Sequence, residues 1–406
     1  MQKAAIAKFT LLGSLYVSQF LPFVFFGQAF PVYLRQQGMS LELIGALGLL
    51  SLPWAFKFLW APYIDLIHLT RRHHYRSWII VFQCLLAGNL LICAFLDIRS
   101  QFIPLLFLIF LGCAIASSQD IATDGLAVTI LAPDERGIGN GIQNAGNKLG
   151  AIIGGGGALI LLEKIGWRNS LMVMAASVIL LLLPTLRECG SESRQTVQTD
   201  LTNLQAFRKF LRRPGMRSWL VVLFMYMMGE NIASSLLRPL FVDLGLSLSE
   251  IGWILGIVSY TAGMVGALMG GVLINQLGRK RSLIGFAFLQ TIAIAFCILP
   301  AVHLSQRPIL YGVSIILQIS HAMAGTAIFT VMMDISHQET AGTDFTIQSS
   351  IVFLGGIIGI VAGGLIAGSI GYIGVFVIAF ATALAGTWIV AKNFHAGQKL
   401  TSNGSS

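Results

Sequence analysis

Gly38-Met39-Ser40-Leu41, followed by Ile44-Gly45, returns at one constant offset as Gly245-Leu246-Ser247-Leu248, followed by Ile251-Gly252. Each copy opens the second of a series of long apolar runs, and each run then ends in a basic loop, Arg71-Arg72 or Arg279-Lys280-Arg281. A weaker match sets Ile142-Gln143 against Ile347-Gln348, each at the start of a fifth run. Working outward from these anchors, the apolar runs fall at 8–34, 41–65, 76–96, 102–131, 139–162 and 168–186. A second set follows at 218–241, 250–275, 282–303, 308–335, 344–369 and 371–391. Each is close to the roughly 20 residues that a helix needs to cross a bilayer. The expectation is an all-α membrane protein of twelve transmembrane helices in two related halves. Residues 1–186 and 218–406 are the two six-helix bundles, the second with a short cytoplasmic tail, and 187–217 is a cytoplasmic linker.

Composition agrees. The chain has 406 residues, 55% of them hydrophobic and only 11% charged, against about 25% charged in a soluble domain. Mean hydropathy is +0.79. No polar stretch is long enough for a water-soluble catalytic domain. No nucleophile–base constellation, phosphate-binding loop or metal-ligand cluster is legible, so neither an enzyme nor a cofactor is expected. The net charge of +9 sits in short loops, where it sets topology rather than binding nucleic acid. Lys3, Lys8, Arg71, Arg72, Arg76, Arg136, the basic run of 187–217, Arg279 to Arg281, Lys392 and Lys399 fall on the side that holds both termini. Only Arg35, Arg99, Lys164, Arg168, Arg238 and Arg307 fall on the other. By the positive-inside rule both termini are expected in the cytoplasm. The first run is too long for a signal-peptide core and reads as an uncleaved span. The five cysteines are scattered without metal or disulfide spacing.

The informative residues are the charges inside the runs: Lys57, Asp120, Asp124, Lys148, Glu230, Arg238 and, near a helix end, Asp334, with His321 as a further ionisable group. Charge at membrane depth is costly unless it faces a partner or a watery cavity, so a chain that repeats it encloses a polar path. Asp120 and Asp124 are four apart and share a helix face, about 5–6 Å from one another. Two carboxylates that close in a low dielectric do not both ionise cheaply, which suits a proton-coupling group. Counted along their helices, Lys57 and Lys148 reach the same layer, so Asp120, Asp124, Lys148 and Lys57 are the proton-coupling candidates. The alternative is a static, charge-balanced structural cluster.

Parallel repeats of six spans with a site between them mark the major facilitator architecture. That architecture implies a cavity lined by spans 1, 4, 7 and 10, and so makes Gln19, Gln119, Glu230, Asn231, Gln318 and His321 candidates for substrate binding. Ala61-Pro62-Tyr63-Ile64-Asp65 with Arg71-Arg72, and Gly271-Val272-Leu273-Ile274-Asn275 with Arg279, resemble the Gly-x3-Asp-Arg-x-Gly-Arg-Arg signature of major facilitators. The resemblance implies gating roles for Asp65, Arg71, Arg72 and Arg279. Asn275 departs from the signature in having lost the charge.

Lys57-Phe58-Leu59-Trp60-Ala61-Pro62, Gln119-Asp120-Ile121 with Asp124, and Asp134-Glu135-Arg136-Gly137 resemble the AmpG-like branch of this superfamily. The runs Asp124-Gly125-Leu126-Ala127-Val128 and Gly139-Asn140-Gly141-Ile142-Gln143 look more like its RhtX/FptX-type siderophore permeases. The resemblance implies a proton-coupled importer of an iron-siderophore or similar small organic across a bacterial inner membrane. The protein is expected to be a monomer. The rival cargo is a cell-wall muropeptide. A non-transporting membrane sensor on the same scaffold is the reading from another class.

Overall fold

The computed structural model describes residues 2–36, 47–70, 73–186 and 210–402, so Arg71, Arg72, Cys189, the first copy of the repeat and most of the linker lie outside the described residues. Nine helices among them are long and apolar enough to cross a membrane. Two of the nine are double. The 51-residue segment Arg136–Leu186 is broken by Gly166, and the 55-residue segment Gln338–Lys392 by Gly371. A shorter broken helix after Leu47 completes the set of twelve. We number them α1 (2–36), α2 (47–66), α3 (His74–Phe95), α4 (Phe102–Ile130), α5 (136–165), α6 (167–186), α7 (216–243), α8 (248–277), α9 (279–301), α10 (Arg307–Ile335), α11 (341–370) and α12 (372–402). The last helix runs well beyond the expected limit of 391.

The repeat is visible in backbone geometry. Gly166 (φ 75°, ψ 177°) and Gly371 (φ 67°, ψ 178°) make the same sharp connection in the two halves, in a region of dihedral space open essentially to glycine alone. They are related by the offset that relates Ile142-Gln143 to Ile347-Gln348. The same offset pairs the packing glycines. A Cβ on Gly150 would come within 2.9 Å of Phe20 Cβ, and one on Gly154 within 2.1 Å of the Leu21 carbonyl oxygen. Their counterparts Gly355 and Gly359 would meet the carbonyl oxygens of Phe224 at 2.3 Å and Met228 at 2.9 Å. Small residues four apart thus seat α5 on α1 and α11 on α7 at backbone distance.

By compactness the chain divides into two units. One comprises Met1–Ala132, Gly146–Asp200 and His337–Thr346, the other Pro133–Ala145, Leu201–Ser336 and Ile347–Ser406. The first has its apolar core among Phe25, Phe30, Leu90, Ile109, Leu171 and Val178. The second has its core among Phe241, Ile294, Leu317 and Phe376. Large apolar side chains such as Ile103, Phe107 and Leu365 face outward, while Gln19, Asp124 and Glu230 are buried. This reverses the soluble pattern and suits a lipid surround.

Two breaks position charges. α2 is a chain of short pieces, with 3-10 turns at Leu47–Ser51 and Lys57–Leu59 flanking helix at Leu52–Phe56, before Ala61–Leu66. Pro62 offers no N–H to the carbonyl one turn back and its ring crowds that turn. Trp60 N–H instead donates to the Lys57 carbonyl at 3.2 Å, and Lys57 sits at the break. The continuous second span expected from hydropathy is therefore wrong in detail. In α7 the pieces Met216–Tyr226 and Met228–Asp243 meet at Met227 (φ −104°), which places Glu230 in the first turn of the second piece. A helix start favours an acid there.

Candidate transport site and gate contacts

In the first unit, α1, α2 and α4 bring a charged cluster together. Lys57 Nζ donates to Asp120 Oδ2. Gln19 Nε2 donates to Asp120 Oδ1 at 2.6 Å. One turn on, the Tyr16 hydroxyl donates to Asp124 Oδ1 at 2.7 Å. Asp124 also feels the charges of Asp120 and Lys57 and lies within hydrogen-bonding reach of the Asp120 carboxyl. Gln119 turns to the other side of the same α1 contact, its Nε2 donating to Ser18 Oγ at 3.1 Å. All of these side chains are buried. The Lys57 ammonium also stands 5.6 Å from the Trp54 ring centroid, and Trp54 packs with Phe20 and Phe23 at centroid distances of 5.8 and 4.8 Å. Gln19 Oε1, Gln119 Oε1, Thr123 Oγ1 and Trp54 Nε1 are buried polar atoms without a hydrogen-bond partner among the described residues.

In the second unit, α7, α9 and α10 build another. His321 Nδ1 lies 2.9 Å from Glu230 Oε2, with the His321 side chain 25% exposed and that of Glu230 only 3%. Gln290 Nε2 approaches the same imidazole nitrogen at 3.5 Å. Asn231 does not join them. Its Nδ2 donates back to the Met227 carbonyl at 2.8 Å, and its amide lies against Gly356 of α11. Gln318 and Lys148 are half-buried on α10 and α5.

Each unit also contains a contact at the ends of its helices. Asp65, at the end of α2, accepts from the backbone N–H groups of Gly342 at 3.2 Å and Thr343 at 2.7 Å, at the start of α11, and from the Tyr75 hydroxyl at 2.7 Å. In the second unit Asp334 accepts from Arg136 Nη1 and from Arg279 Nε, both at 2.9 Å. Arg279 also donates to the Pro133 carbonyl and to Asn275 Oδ1, and Asn275 Nδ2 donates to the Asp134 carbonyl at 2.7 Å. The neutral amide can donate to a carbonyl where a carboxylate could not. That gives the lost charge a physical reason.

Of the four coupling candidates the structure joins Lys57, Asp120 and Asp124, together with the substrate-binding candidate Gln19, and of the other binding candidates it joins Glu230 with His321. Residue reasoning set Lys148, not Gln19, in the charged layer. It missed Tyr16 and Trp54, although Tyr16, Gln19, Phe20 and Phe23 follow helical i, i+3, i+4, i+7 spacing on α1. It also missed Arg136, counted only as a loop cation, as the partner of Asp334.

Twelve apolar helices in two repeated sets of six, each enclosing buried ionisable groups, define a multi-pass membrane transporter. The chain belongs to the Major Facilitator Superfamily, whose sequence profile matches residues 12–237 and again 219–404. It is 28% identical over 356 residues to the anhydromuropeptide permease of Escherichia coli strain K12, covering 84% of this chain and 71% of that protein. An uncharacterized protein of Haemophilus influenzae is 28% identical over 281 residues, and the match spans 68% of this chain and 66% of that protein's length. A putative transporter, AmpG 4, of Rickettsia conorii is 23% identical over 81% of this chain and 83% of its own. In fold, the human organic anion transporter MFSD10 superposes with a TM-score of 0.74 at 16% identity, covering 95% of this chain and 99% of that one. The transporter FucP does so with a TM-score of 0.72 at 17% identity, covering 96% and 99%. The AmpG-like expectation is met. The expected closeness to siderophore permeases is not supported, since these relatives carry muropeptide-permease or AmpG names.

Proposed function

We propose that this transporter is a proton-coupled importer of anhydromuropeptides, or of small organics of similar chemistry, across the bacterial inner membrane. In this reading it works as a monomer with both termini in the cytoplasm, and residues 187–217 link the bundles 1–186 and 218–406. The similarity to the anhydromuropeptide permease moves the cargo from a siderophore to a cell-wall fragment. The observation that supports coupling is the carboxyl pair Asp120–Asp124. Lys57 and Gln19 hold Asp120, while Asp124, within reach of Asp120 and of the Tyr16 hydroxyl, is placed to share or release a proton. A hydrogen bond between two carboxyl groups requires one proton. Binding and losing that proton changes the charge of the layer that the cargo meets. The amide oxygens of Gln19 and Gln119, without a hydrogen-bond partner among the described residues, suit hydroxyl and amide donors on a largely apolar frame, with Phe20, Phe23 and Trp54 nearby. Asp65 and Arg279 act as latches whose release accompanies the cycle, with Arg71 and Arg72 as further cationic anchors.

Uptake of a radiolabelled anhydromuropeptide into energised vesicles carrying the full chain tests this. Accumulation that collapses with a protonophore is expected. Uptake that ignores the gradient removes the coupling, uptake of a ferric siderophore in place of the muropeptide restores the other cargo, and no uptake of either favours the sensor.

A further inference from the structure

The Glu230–His321 pair differs from the carboxyl pair of the first unit in one respect that decides its chemistry. Glu230 is buried, at 3% exposure, and the imidazole 2.9 Å from it keeps 25% of its surface open. The nitrogen turned toward Glu230 is Nδ1, so the ring's other nitrogen, Nε2, is the one left to meet what enters. Gln290 on α9, itself buried, packs behind the ring. On α9 the Cys297 thiol also senses the Glu230 charge. Asn231 and Ser314, on the helices that carry the pair, are neutral and bonded to backbone carbonyls.

We infer that Glu230 and His321 bind a carboxylate of the cargo together with one proton. This inference rests on the reading of the cargo as an anhydromuropeptide, a class with peptide carboxylates. A Glu–His pair that shares one proton is neutral. Adding a carboxylate to it makes the buried group of three net negative, which a low-dielectric site resists. A second proton entering with the anion restores neutrality. Nε2–H of the imidazolium then donates to the cargo carboxylate while Glu230 carries the second proton as a neutral carboxylic acid. Only that O–H bond forms, and the proton leaves as the carboxylate leaves. The count also selects the ligand. One imidazolium beside a buried carboxyl neutralises a single negative charge, so a monoanionic carboxylate fits and a dianionic phosphate does not.

Binding to the purified full-length protein tests this, with an anhydromuropeptide and the same compound with its carboxylates amidated as probes. Calorimetry in two buffers of different ionisation heat counts the protons. The acid form is expected to bind about tenfold tighter than the amide, the scale of one charge-assisted hydrogen bond. It is also expected to take up about one more proton, by linkage. His321→Gln should erase both differences. Glu230→Gln should keep the preference for the acid form, because the imidazolium remains. Equal affinities and equal proton counts for the two probes in the wild-type protein overturn the inference while leaving the cargo reading in place, and need no variant to fold. If neither probe binds, the cargo reading falls and the inference with it.

Discussion

Gly342 donates its backbone N–H to Asp65 Oδ1 at 3.2 Å, and a methyl group on the same Cα would sit 2.6 Å from that oxygen. The close approach that makes the bond is thus possible only for glycine. Gly137, related to Gly342 by the offset of the repeat, meets Asn275 Oδ1 at 2.7 Å in the same test. The two halves have kept the close contact while changing its chemistry from carboxylate to amide.

Asp65→Asn replaces an acceptor of two backbone N–H groups with a side chain that presents its own donors. Charge-assisted hydrogen bonds contribute about 1.5–3 kcal/mol each. The variant is expected to reach the membrane at near wild-type abundance but to transport at least about tenfold more slowly, the equivalent of about 1.4 kcal/mol. Gly342→Ala should match it through steric exclusion. Uptake normalised to protein amount checks both, and a wild-type rate in either removes Asp65 from the latch.

Asp120→Asn leaves the Lys57 ammonium buried beside a neutral amide, a loss on the order of 3–5 kcal/mol. The single variant is expected to be scarce in membranes. Adding Lys57→Met should return abundance to within about twofold, since a matched apolar replacement of a buried pair is often neutral. Uptake should stay absent in the double variant if Asp120 belongs to the coupling pair. Recovery of uptake along with abundance would make the cluster purely structural.

Gly154 and Gly156 share a glycine run but not an environment. A Cβ at Gly154 meets the Leu21 carbonyl oxygen at 2.1 Å, and one at Gly156 meets nothing within 4 Å. Overpacking costs about 1–3 kcal/mol. Gly154→Ala should therefore lower the melting temperature of the purified protein by at least about 3 °C, while Gly156→Ala leaves it unchanged or raises it. Equal effects would mean that α5 does not depend on its contact with α1.

Asp334 holds two guanidinium groups, one of them, Arg279, 24% exposed. After allowance for that exposure the network contributes about 1–2 kcal/mol. Asp334→Asn should lower the melting temperature and flatten its salt dependence. The wild-type value is expected to fall between low salt and about 0.5 M salt, where screening becomes strong. A variant that keeps the wild-type slope would show that the arginines are held by other acceptors.

Most of the helix pattern was legible because hydropathy and span length report it directly, and the repeat could be read because glycine positions cannot drift where backbones touch. That Lys57, Lys148, Asp120 and Asp124 share one layer was legible from depth counted along their helices. That Lys57 pairs with Asp120, and the shape of that contact, was not. The break in α2 depends on how Pro62 and Trp60 redirect hydrogen bonds, and a hydropathy window averages over that. Tyr16 escaped notice because a tyrosine in an apolar helix looks like packing until its hydroxyl is seen against Asp124. The donors to Asp65 lie far away in sequence, and a single chain without its fold carries no signal that joins them.

That distance has a consequence for biogenesis. The first unit includes His337–Thr346, and the Gly342 N–H that Asp65 accepts is 277 residues further along the chain. At about 5–20 residues per second, synthesis delivers it roughly 14–55 s after Asp65. For that interval the acid has no native helix start to accept from. The first unit therefore matures only after most of the second has emerged from the ribosome, and truncations before Gly342 leave both units incomplete.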